Sequence, residues 1–263
     1  MEIAGYTASL FIGISLGLIG GGGSILTLPV LVYLFGISPT LSISYSLFVV
    51  GFTSLVGAFN NYRKSLVNFK IAVLFGASSI TTVFITRKFI IPQVPNVFFE
   101  IGSLQVTHAL FVMVVFAVLM LAASISMIRN KKVAACENGT SKTKPVTLLF
   151  YGILIGLVTG FLGAGGGFLL IPALVILMNL PMKEAIGTSL LIISLNSLIG
   201  FVGDIGLHLI DWQFISIITA IAIAGVFIGG FFNQKVNAVK LKKGFGWFVL
   251  VMGIYILVKE IFL

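Results

Sequence analysis

Charged side chains are scarce in this chain of 263 residues: Asp, Glu, Lys and Arg make up 9% of it, whereas 59% of the residues are apolar. A soluble domain carries about 25% charged residues, so this chain has too few to cover a surface that faces water. The scarcity excludes a water-soluble globular protein and indicates that lipid surrounds most of the chain. In lipid every backbone polar group needs a partner within the protein, which restricts the fold to helix bundles or closed barrels.

Cysteine and histidine are also scarce. The single Cys136 excludes an intramolecular disulfide. The two histidines, His108 and His208, lie near the ends of apolar segments, so they do not supply the base that an intramembrane enzyme would need beside a nucleophile. The sequence therefore predicts no catalytic residue, no metal site and no cofactor. A nucleic-acid partner is excluded as well, because the basic residues behind the net charge of +9 sit in short clusters between apolar runs.

Ten apolar segments are present, and they lack the period-two alternation of barrel strands, which favours helices. They cover residues 3–20, 24–35, 40–60, 68–86, 105–128, 146–162, 167–180, 184–203, 212–232 and 245–262. A helix needs about 20 apolar residues to cross a bilayer, so 24–35 and 167–180 are too short to cross as straight helices. Whether these two cross or re-enter stays open. A polar, basic linker, 129–145, separates an N-terminal transmembrane repeat, 1–128, from a C-terminal one, 146–263.

The two halves repeat each other at an offset of 143 residues, without a gap from Gly13/Gly156 to Gly57/Gly200. Apolar chains match by chance at Leu, Ile and Val, but not at six glycines, two serines and a proline in one register. The further pairs of these types are Gly17/Gly160, Gly20/Gly163, Gly22/Gly165, Gly23/Gly166, Pro29/Pro172, Ser46/Ser189 and Ser54/Ser197. The chain is therefore predicted to be an internal duplication.

Charge indicates how the halves are oriented. Five segments per half is an odd number, so the halves should have opposite topology. With the linker in the cytoplasm, thirteen of the sixteen Lys and Arg residues fall inside, and Arg87, Lys88 and Lys259 fall outside beside acidic residues such as Asp204. This is the positive-inside bias. It predicts an all-α integral membrane protein of two inverted-topology repeats in a cell inner (plasma) membrane, with both termini outside.

A glycine cluster precedes the short segment of each half. Inverted repeats with interrupted helices are typical of secondary transporters, whose substrate binds near the midplane. A helix that begins after such a cluster exposes backbone N–H groups and the positive end of its dipole. Two such starts facing each other would hold an anion without a cationic side chain. The candidate substrate-binding residues are Gly21, Gly22, Gly23 and Ser24 in the first half and Gly165, Gly166 and Gly167 in the second. A plain structural kink is the alternative, and the pairs Gly13/Gly17 and Gly156/Gly160 are spaced for close helix packing.

Polar side chains follow the short segments. Ser46 and Thr53 share a helix face, as do Ser189 and Asn196, while Thr188 precedes Ser189 in the chain. These residues are candidates for contact with the substrate, and Asn196 is the sharpest because a mid-span amide needs a partner. Hydrogen bonding between helices is the alternative for the hydroxyls.

The sequences GLIGGGGSILTLP, from Gly17 to Pro29, and GFLGAGGGFLLIP, from Gly160 to Pro172, resemble the duplicated signature of the sulfite exporter TauE/SafE family. The segment Ala185–Ser189 does so too, and the resemblance covers essentially the whole chain. It implies an inner-membrane permease of bacterial type for sulfite, organosulfonates or related sulfur compounds.

Together, residues and resemblance predict a facilitated exporter of a small sulfur oxyanion. Export of an anion is favoured by about 2.3 kcal/mol per charge for each 100 mV of inside-negative potential. No acidic residue lies in the middle of a segment, so export without obligatory proton coupling is expected. An anion channel and an uptake permease are the alternatives. The expected partners are the anion and membrane lipid, and a homodimer stays open.

Overall fold

Each of the ten apolar segments forms an α-helix. The structure, a computed structural model, describes residues 2–20, 23–95, 97–101, 104–129, 145–163, 165–178, 180–207, 209–232 and 238–262. In these residues the helices are α1 (Glu2–Ile19), α2 (Ser24–Tyr33), α3 (Pro39–Arg63), α4 (Phe69–Ile85), α5 (His108–Arg129), α6 (Pro145–Leu162), α7 (Gly167–Met178), α8 (Met182–Asp204), α9 (Trp212–Phe232) and α10 (Ala238–Phe262). Most of the predicted linker lies outside the described residues.

The chain between α4 and α5 has structure that the sequence analysis did not predict. A π-helical turn, Thr86–Ile90, and a 3-10 turn, Ile91–Gln93, extend α4. An antiparallel hairpin of β1 (Val97–Ile101) and β2 (Leu104–Thr107) follows. The segment predicted as 105–128 therefore starts in a strand, because a short apolar run has no feature that separates a strand from the first turn of a helix.

Several helices are long enough to span a bilayer. Within the described residues, five have the length and apolar composition of a membrane span: Pro39–Arg63, Phe69–Gln93, His108–Ile125, Met182–Asp204 and Trp212–Phe231. Shorter apolar helices cover Ile3–Ile19, Ser24–Tyr33 and Thr147–Leu162. The chain is thus an all-α, multi-pass membrane protein.

The short helix α2 turns the chain back along α1. Its 10 residues rise about 15 Å, which is half the thickness of the hydrocarbon core. The glycine before it, Gly23, packs against Ser15 and Leu16 of α1. After α2, the ring of Phe35 stacks edge-on against Tyr6, with ring centroids 5.5 Å apart. The chain therefore leaves α2 at the level where α1 began.

The two corresponding helices α3 and α8 pack against each other and run antiparallel. Gly57, late in α3, faces Leu190, early in α8, whereas Gly51, midway along α3, faces Leu198, further along α8. At the other extreme Ser44, early in α3, is hydrogen-bonded to the last residue of α8, Asp204. Both helices are largely buried, so this pair is the centre of the molecule.

Contacts between the halves are exchanged at the offset of the sequence repeat. Gly57 faces Leu190, and Gly200, its counterpart, faces Leu47, the counterpart of Leu190. The same exchange holds for helices: α1 packs against α9, and α6, the counterpart of α1, packs against α4, the counterpart of α9. Such an exchange is what the predicted inverted repeat requires, and the inverted repeat itself stays a prediction. Which end of the helices faces the cytoplasm stays a prediction.

The glycine pairs spaced for helix packing lie where helices approach closely. A Cβ on Gly13 would collide with the carbonyl oxygen of Ala222 in α9, and a Cβ on Gly156 would collide with that of Ser79 in α4. Ala222 and Ser79 correspond to each other at the repeat offset. The structure confirms the packing interpretation for both glycines.

Candidate functional site

Corresponding glycines end the long helix before each cluster. Gly20 and Gly163 have φ of 78° and 64°, in the left-handed region that glycine adopts without strain. The N–H of Gly20 donates to the carbonyl of Leu16, and that of Gly163 to the carbonyl of Thr159, both at 2.9 Å. Each cluster therefore terminates one helix before it starts the next.

The start of α2 has no side-chain cap. The N-cap residue is Gly23, which has no side chain to accept a hydrogen bond from the first turn of α2. Ser24, the first residue of α2, is fully buried. Gly21 and Gly22 lie outside the described residues. The uncapped start is the feature from which an anion site was predicted.

The second cluster reaches the middle of the central helix pair. A Cβ on Gly165 would come within 3.1 Å of Val50, Ile193 and Ser197, which lie near the midpoints of α3 and α8. Gly165 and Gly166 both have positive φ, 64° and 65°. Gly167 begins α7 and is buried. The start of α7 therefore lies halfway along α3 and α8, and α7 is also in contact with α2.

Polar atoms without a hydrogen-bond partner collect on the central helices. Among the described residues, the hydroxyls of Ser46, Ser54 and Ser197 and the Oδ1 of Asn196 are buried and unpartnered. Thr27, in the first turns of α2, has a buried hydroxyl of the same kind. Buried polar atoms of native proteins are almost always hydrogen-bonded, so these atoms point to a ligand or water. Sequence reasoning missed Thr27, which has an apolar counterpart, Leu170, in the second half.

Asn196 meets one partner across the helix interface. Its Nδ2 donates a hydrogen bond of 2.6 Å to the Oγ of Ser79 in α4, while its Oδ1 has no partner in the described part of the chain. The partner expected for a mid-span amide is therefore present, but it satisfies only the nitrogen of the amide and not its oxygen.

Three other candidates have their hydroxyls engaged. Thr53 donates to the carbonyl of Val49 at 2.6 Å and Ser189 to that of Ile186 at 2.9 Å, each within its own helix. The Oγ1 of Thr188 accepts the backbone N–H of Asn68 at 2.9 Å. Only the Thr188 bond joins different elements, as the alternative for the hydroxyls expected. A substrate would have to compete with the local bonds that Thr53 and Ser189 donate.

A buried ion pair lies at one end of the central pair. Arg87, in the π-helical turn, is 3% exposed and Asp204, the last residue of α8, is 2% exposed. The Nη2 of Arg87 pairs with Oδ2 of Asp204 and donates to the Oγ of Ser44 at 3.2 Å. Its Nη1 donates to the carbonyl of Gly160 at 3.4 Å. The sequence analysis placed both charges on the outer side of the membrane and did not predict that they are buried and paired.

Sequence reasoning could not pair these charges, because they are 117 residues apart. A signal was available in the repeat itself. At the offset of the duplication Arg87 corresponds to Gly230 and Asp204 to Asn61. Two charges that stand where the other half has neutral residues mark a place where the halves differ.

An apolar cavity lies towards the opposite end of α3. It has a volume of about 180 Å³ and is lined by Leu55, Phe59, Tyr62, Phe69 and Leu191, among others. Its lining is almost wholly apolar, so it offers no donors for an anion. Within the described residues no group of three or more His, Cys, Asp and Glu side chains could hold a metal ion.

Comparison with known proteins identifies the family. The model of the family described as "Sulfite exporter TauE/SafE" matches residues 6–256, nearly the whole chain. The chain belongs to the sulfite exporter TauE/SafE family. As a TauE/SafE protein it is a membrane transporter and not an enzyme, and the resemblance seen in the sequence is confirmed.

Curated relatives of this TauE/SafE chain carry general names. A "Probable membrane transporter protein" of Xylella fastidiosa (strain 9a5c) is 30% identical, covering 94% of this chain and 91% of the relative. The "Probable membrane transporter protein YdhB" of Bacillus subtilis (strain 168) is 26% identical, covering 88% and 90%. The "Probable membrane transporter protein MJ0441" of Methanocaldococcus jannaschii is 24% identical, covering 94% and 91%. No solved structure matches the chain.

Proposed function

We propose that this chain is a facilitated exporter of a small sulfur oxyanion, such as sulfite or an organosulfonate, in the inner (plasma) membrane. The description of its family supports the substrate class. The observation that carries the proposal is the position of Gly165, which lies against Ser197 halfway along α3 and α8. There the second glycine turn meets the buried hydroxyl of Ser197, which has no partner among the described residues.

Backbone amides supply the attraction for the anion. The starts of α2 and α7 present N–H groups and the positive ends of two helix dipoles. An oxyanion is rich in acceptors and suits such donors. We assign Gly21, Gly22, Gly23, Ser24, Gly165, Gly166 and Gly167 to the backbone part of the site. The hydroxyls of Ser46 and Thr188 and the second hydrogen on Nδ2 of Asn196 add side-chain donors, whereas Thr53 and Ser189 would join after breaking a present hydrogen bond.

The membrane potential gives the direction of transport that we propose. We place the linker 129–145 in the cytoplasm and both termini outside, as the distribution of Lys and Arg favours. An inside-negative potential of 100 mV then drives each negative charge outward with about 2.3 kcal/mol. Export down this gradient needs no second coupled ion.

Current from reconstituted protein tests the proposal. Purified chain in proteoliposomes is expected to give a sulfite-dependent current that follows the membrane potential and persists without a pH gradient. Current that requires a pH gradient would reject the uncoupled mechanism. Saturation and counterflow exchange of labelled sulfite are expected of a carrier, and conductance without either would favour the alternative of an anion channel.

A further inference from the structure

Several donors and acceptors around Arg87 and Asp204 are not used by the ion pair. The Nε of Arg87 has no hydrogen-bond partner among the described residues, and neither have Oδ1 of Asp204, Oγ1 of Thr86 and Oγ1 of Thr159. All four side chains are almost completely buried. A guanidinium N–H and two hydroxyls are thus available beside a carboxylate that is itself only partly bound.

We propose that Arg87 is an oxyanion-binding residue at this end of the molecule and that Asp204 occupies its guanidinium until the anion arrives. The proposal rests on the proposed function, since it names a side-chain contact for the same class of substrate. It assigns a cationic site to a path that the sequence analysis expected to be lined by backbone amides.

Carboxylates and oxyanions compete for the same atoms of an arginine. The planar fork of N–H groups matches two oxygens of a carboxylate, a phosphate or a similar oxyanion. Sulfite and sulfonates present oxygens of this kind. The bond from Nη2 of Arg87 to Oδ2 of Asp204 therefore shows where a substrate oxygen would bind, and the unpartnered Nε offers the second donor.

Exchange of Asp204 for a substrate anion keeps the guanidinium of Arg87 paired, so its cost is that of releasing Asp204. A buried ion pair stabilises a protein little, because removing both charges from water offsets most of their attraction. Asp204 is the last residue of α8, where the negative end of the helix dipole disfavours a carboxylate. Arg87 and Ser44 hold it there. The next residues, Ile205 and Leu207, are 47% and 40% exposed, so a released carboxylate is close to the surface of the protein.

Arg87 adjoins the second glycine turn. It donates to the carbonyl of Gly160, three residues before the turn begins at Gly163. Thr159, whose hydroxyl is unpartnered in the part of the chain that the structure describes, faces Gly166 across that turn. The carbonyl of Gly160 and the hydroxyl of Thr159 therefore lie between Arg87 and the turn that contains Gly165.

The helix that carries Arg87 is irregular at this point. The five residues Thr86–Ile90 form a π-helical turn, and such turns occur frequently at functional sites. The corresponding part of α9 is regular α-helix as far as Phe232. The irregular turn and the ion pair thus occur at the same place. The other half has neither of them at the corresponding described positions.

A binding role and a purely structural role make different predictions for sulfite affinity. The double variant R87Q/D204N removes both charges and keeps amides that can hydrogen-bond to each other. D204N alone removes the competing carboxylate and keeps Arg87. The matched control is K88Q, because Lys88 is the neighbouring cation and is exposed.

Calorimetric titration of the purified full-length variants with sodium sulfite tests the proposal, with thermal unfolding as a check of folding. We expect R87Q/D204N to bind sulfite about tenfold more weakly or worse, D204N to bind it more tightly, and K88Q to match the wild type. A folded R87Q/D204N within twofold of the wild type would overturn the assignment. If that variant does not fold, weaker binding by D204N would overturn it.

The same titration separates this assignment from the proposed function. Sulfite binding by the wild type with unchanged binding by R87Q/D204N would reject the role of Arg87 and leave the proposed function standing. Wild-type protein that binds neither sulfite nor methanesulfonate would reject both the substrate class and the assignment.

Discussion

The Nδ2 of Asn196 lies 2.6 Å from the Oγ of Ser79 and donates a hydrogen bond to it, which ties α8 to α4 inside the protein. Asn196 is fully buried, as is Ser79. Substitution of either residue breaks this hydrogen bond, but only substitution of Asn196 also removes the amide from the candidate site.

Substitution of Asn196 by alanine is expected to weaken transport more than substitution of Ser79. Both N196A and S79A lose the same hydrogen bond and about 1–3 kcal/mol of stability. N196A also removes the amide, so its half-saturation concentration for sulfite should rise roughly tenfold. Initial rates of uptake into proteoliposomes at matched amounts of folded protein measure this. Equal effects of the two variants would assign Asn196 a structural role.

Gly165→Ala is expected to destabilise the protein and to stop transport. A side chain in the left-handed region costs about 1–2 kcal/mol, and the added Cβ would press on Val50 and Ser197. The control is Gly244→Ala, since Gly244 is exposed within α10 and a Cβ there meets nothing within 4 Å. That change should stabilise its helix by about 0.5–1 kcal/mol. Thermal unfolding in detergent compares the two, and a G165A protein with wild-type stability and transport would contradict the role of the turn.

Gly13→Ala and Gly76→Ala are expected to change stability in opposite directions. The Cβ added at Gly13 collides with a backbone carbonyl of α9, whereas the Cβ added at Gly76 has its nearest neighbour at 3.7 Å. G13A must push α1 away from α9, at roughly 1–3 kcal/mol, while G76A should gain about 0.5–1 kcal/mol. Unfolding of both variants in the same detergent provides the measurement. An unaffected G13A would mean that the α1–α9 contact is looser than described.

Labelling of single cysteines is expected to show the orientation of the helix ends. In a C136S background, Leu209→Cys lies in the connection between α8 and α9, where Leu209 is 97% exposed. Lys64→Cys lies at the other end, directly after α3, and is also exposed. A membrane-impermeant maleimide should label L209C in intact cells. It should label K64C only after the cells are lysed. The reverse pattern would invert the whole topology.

The helices were predictable from local features, and the ion pair was not. Long apolar runs identify the helices. Glycines at a fixed offset indicated the repeat, because glycine is the residue that adopts the positive φ of Gly20 and Gly163 without strain. The pairing of Arg87 with Asp204 joins residues from different repeats. No periodicity within either half contains that information.

Hydroxyl roles were equally hidden from the sequence. Thr188 was grouped with Ser189 because they are adjacent, yet it accepts the N–H of Asn68. At the repeat offset Tyr45 corresponds to Thr188, and its OH accepts the N–H of Asp211 at 2.8 Å. Thr188 and Tyr45 therefore accept equivalent backbone N–H groups in the two halves. A search for identical residue pairs does not find this equivalence, because the two side chains differ.

The exchanged contacts of Gly57 with Leu190 and of Gly200 with Leu47 have a consequence for motion. Whenever the two halves adopt unequal shapes, interchange of those shapes gives a second conformer with its opening on the opposite face. Where the halves match in sequence, both conformers would contain equivalent packing interactions. From the predicted inverted repeat we therefore expect inward-facing and outward-facing forms that interconvert without a dedicated hinge.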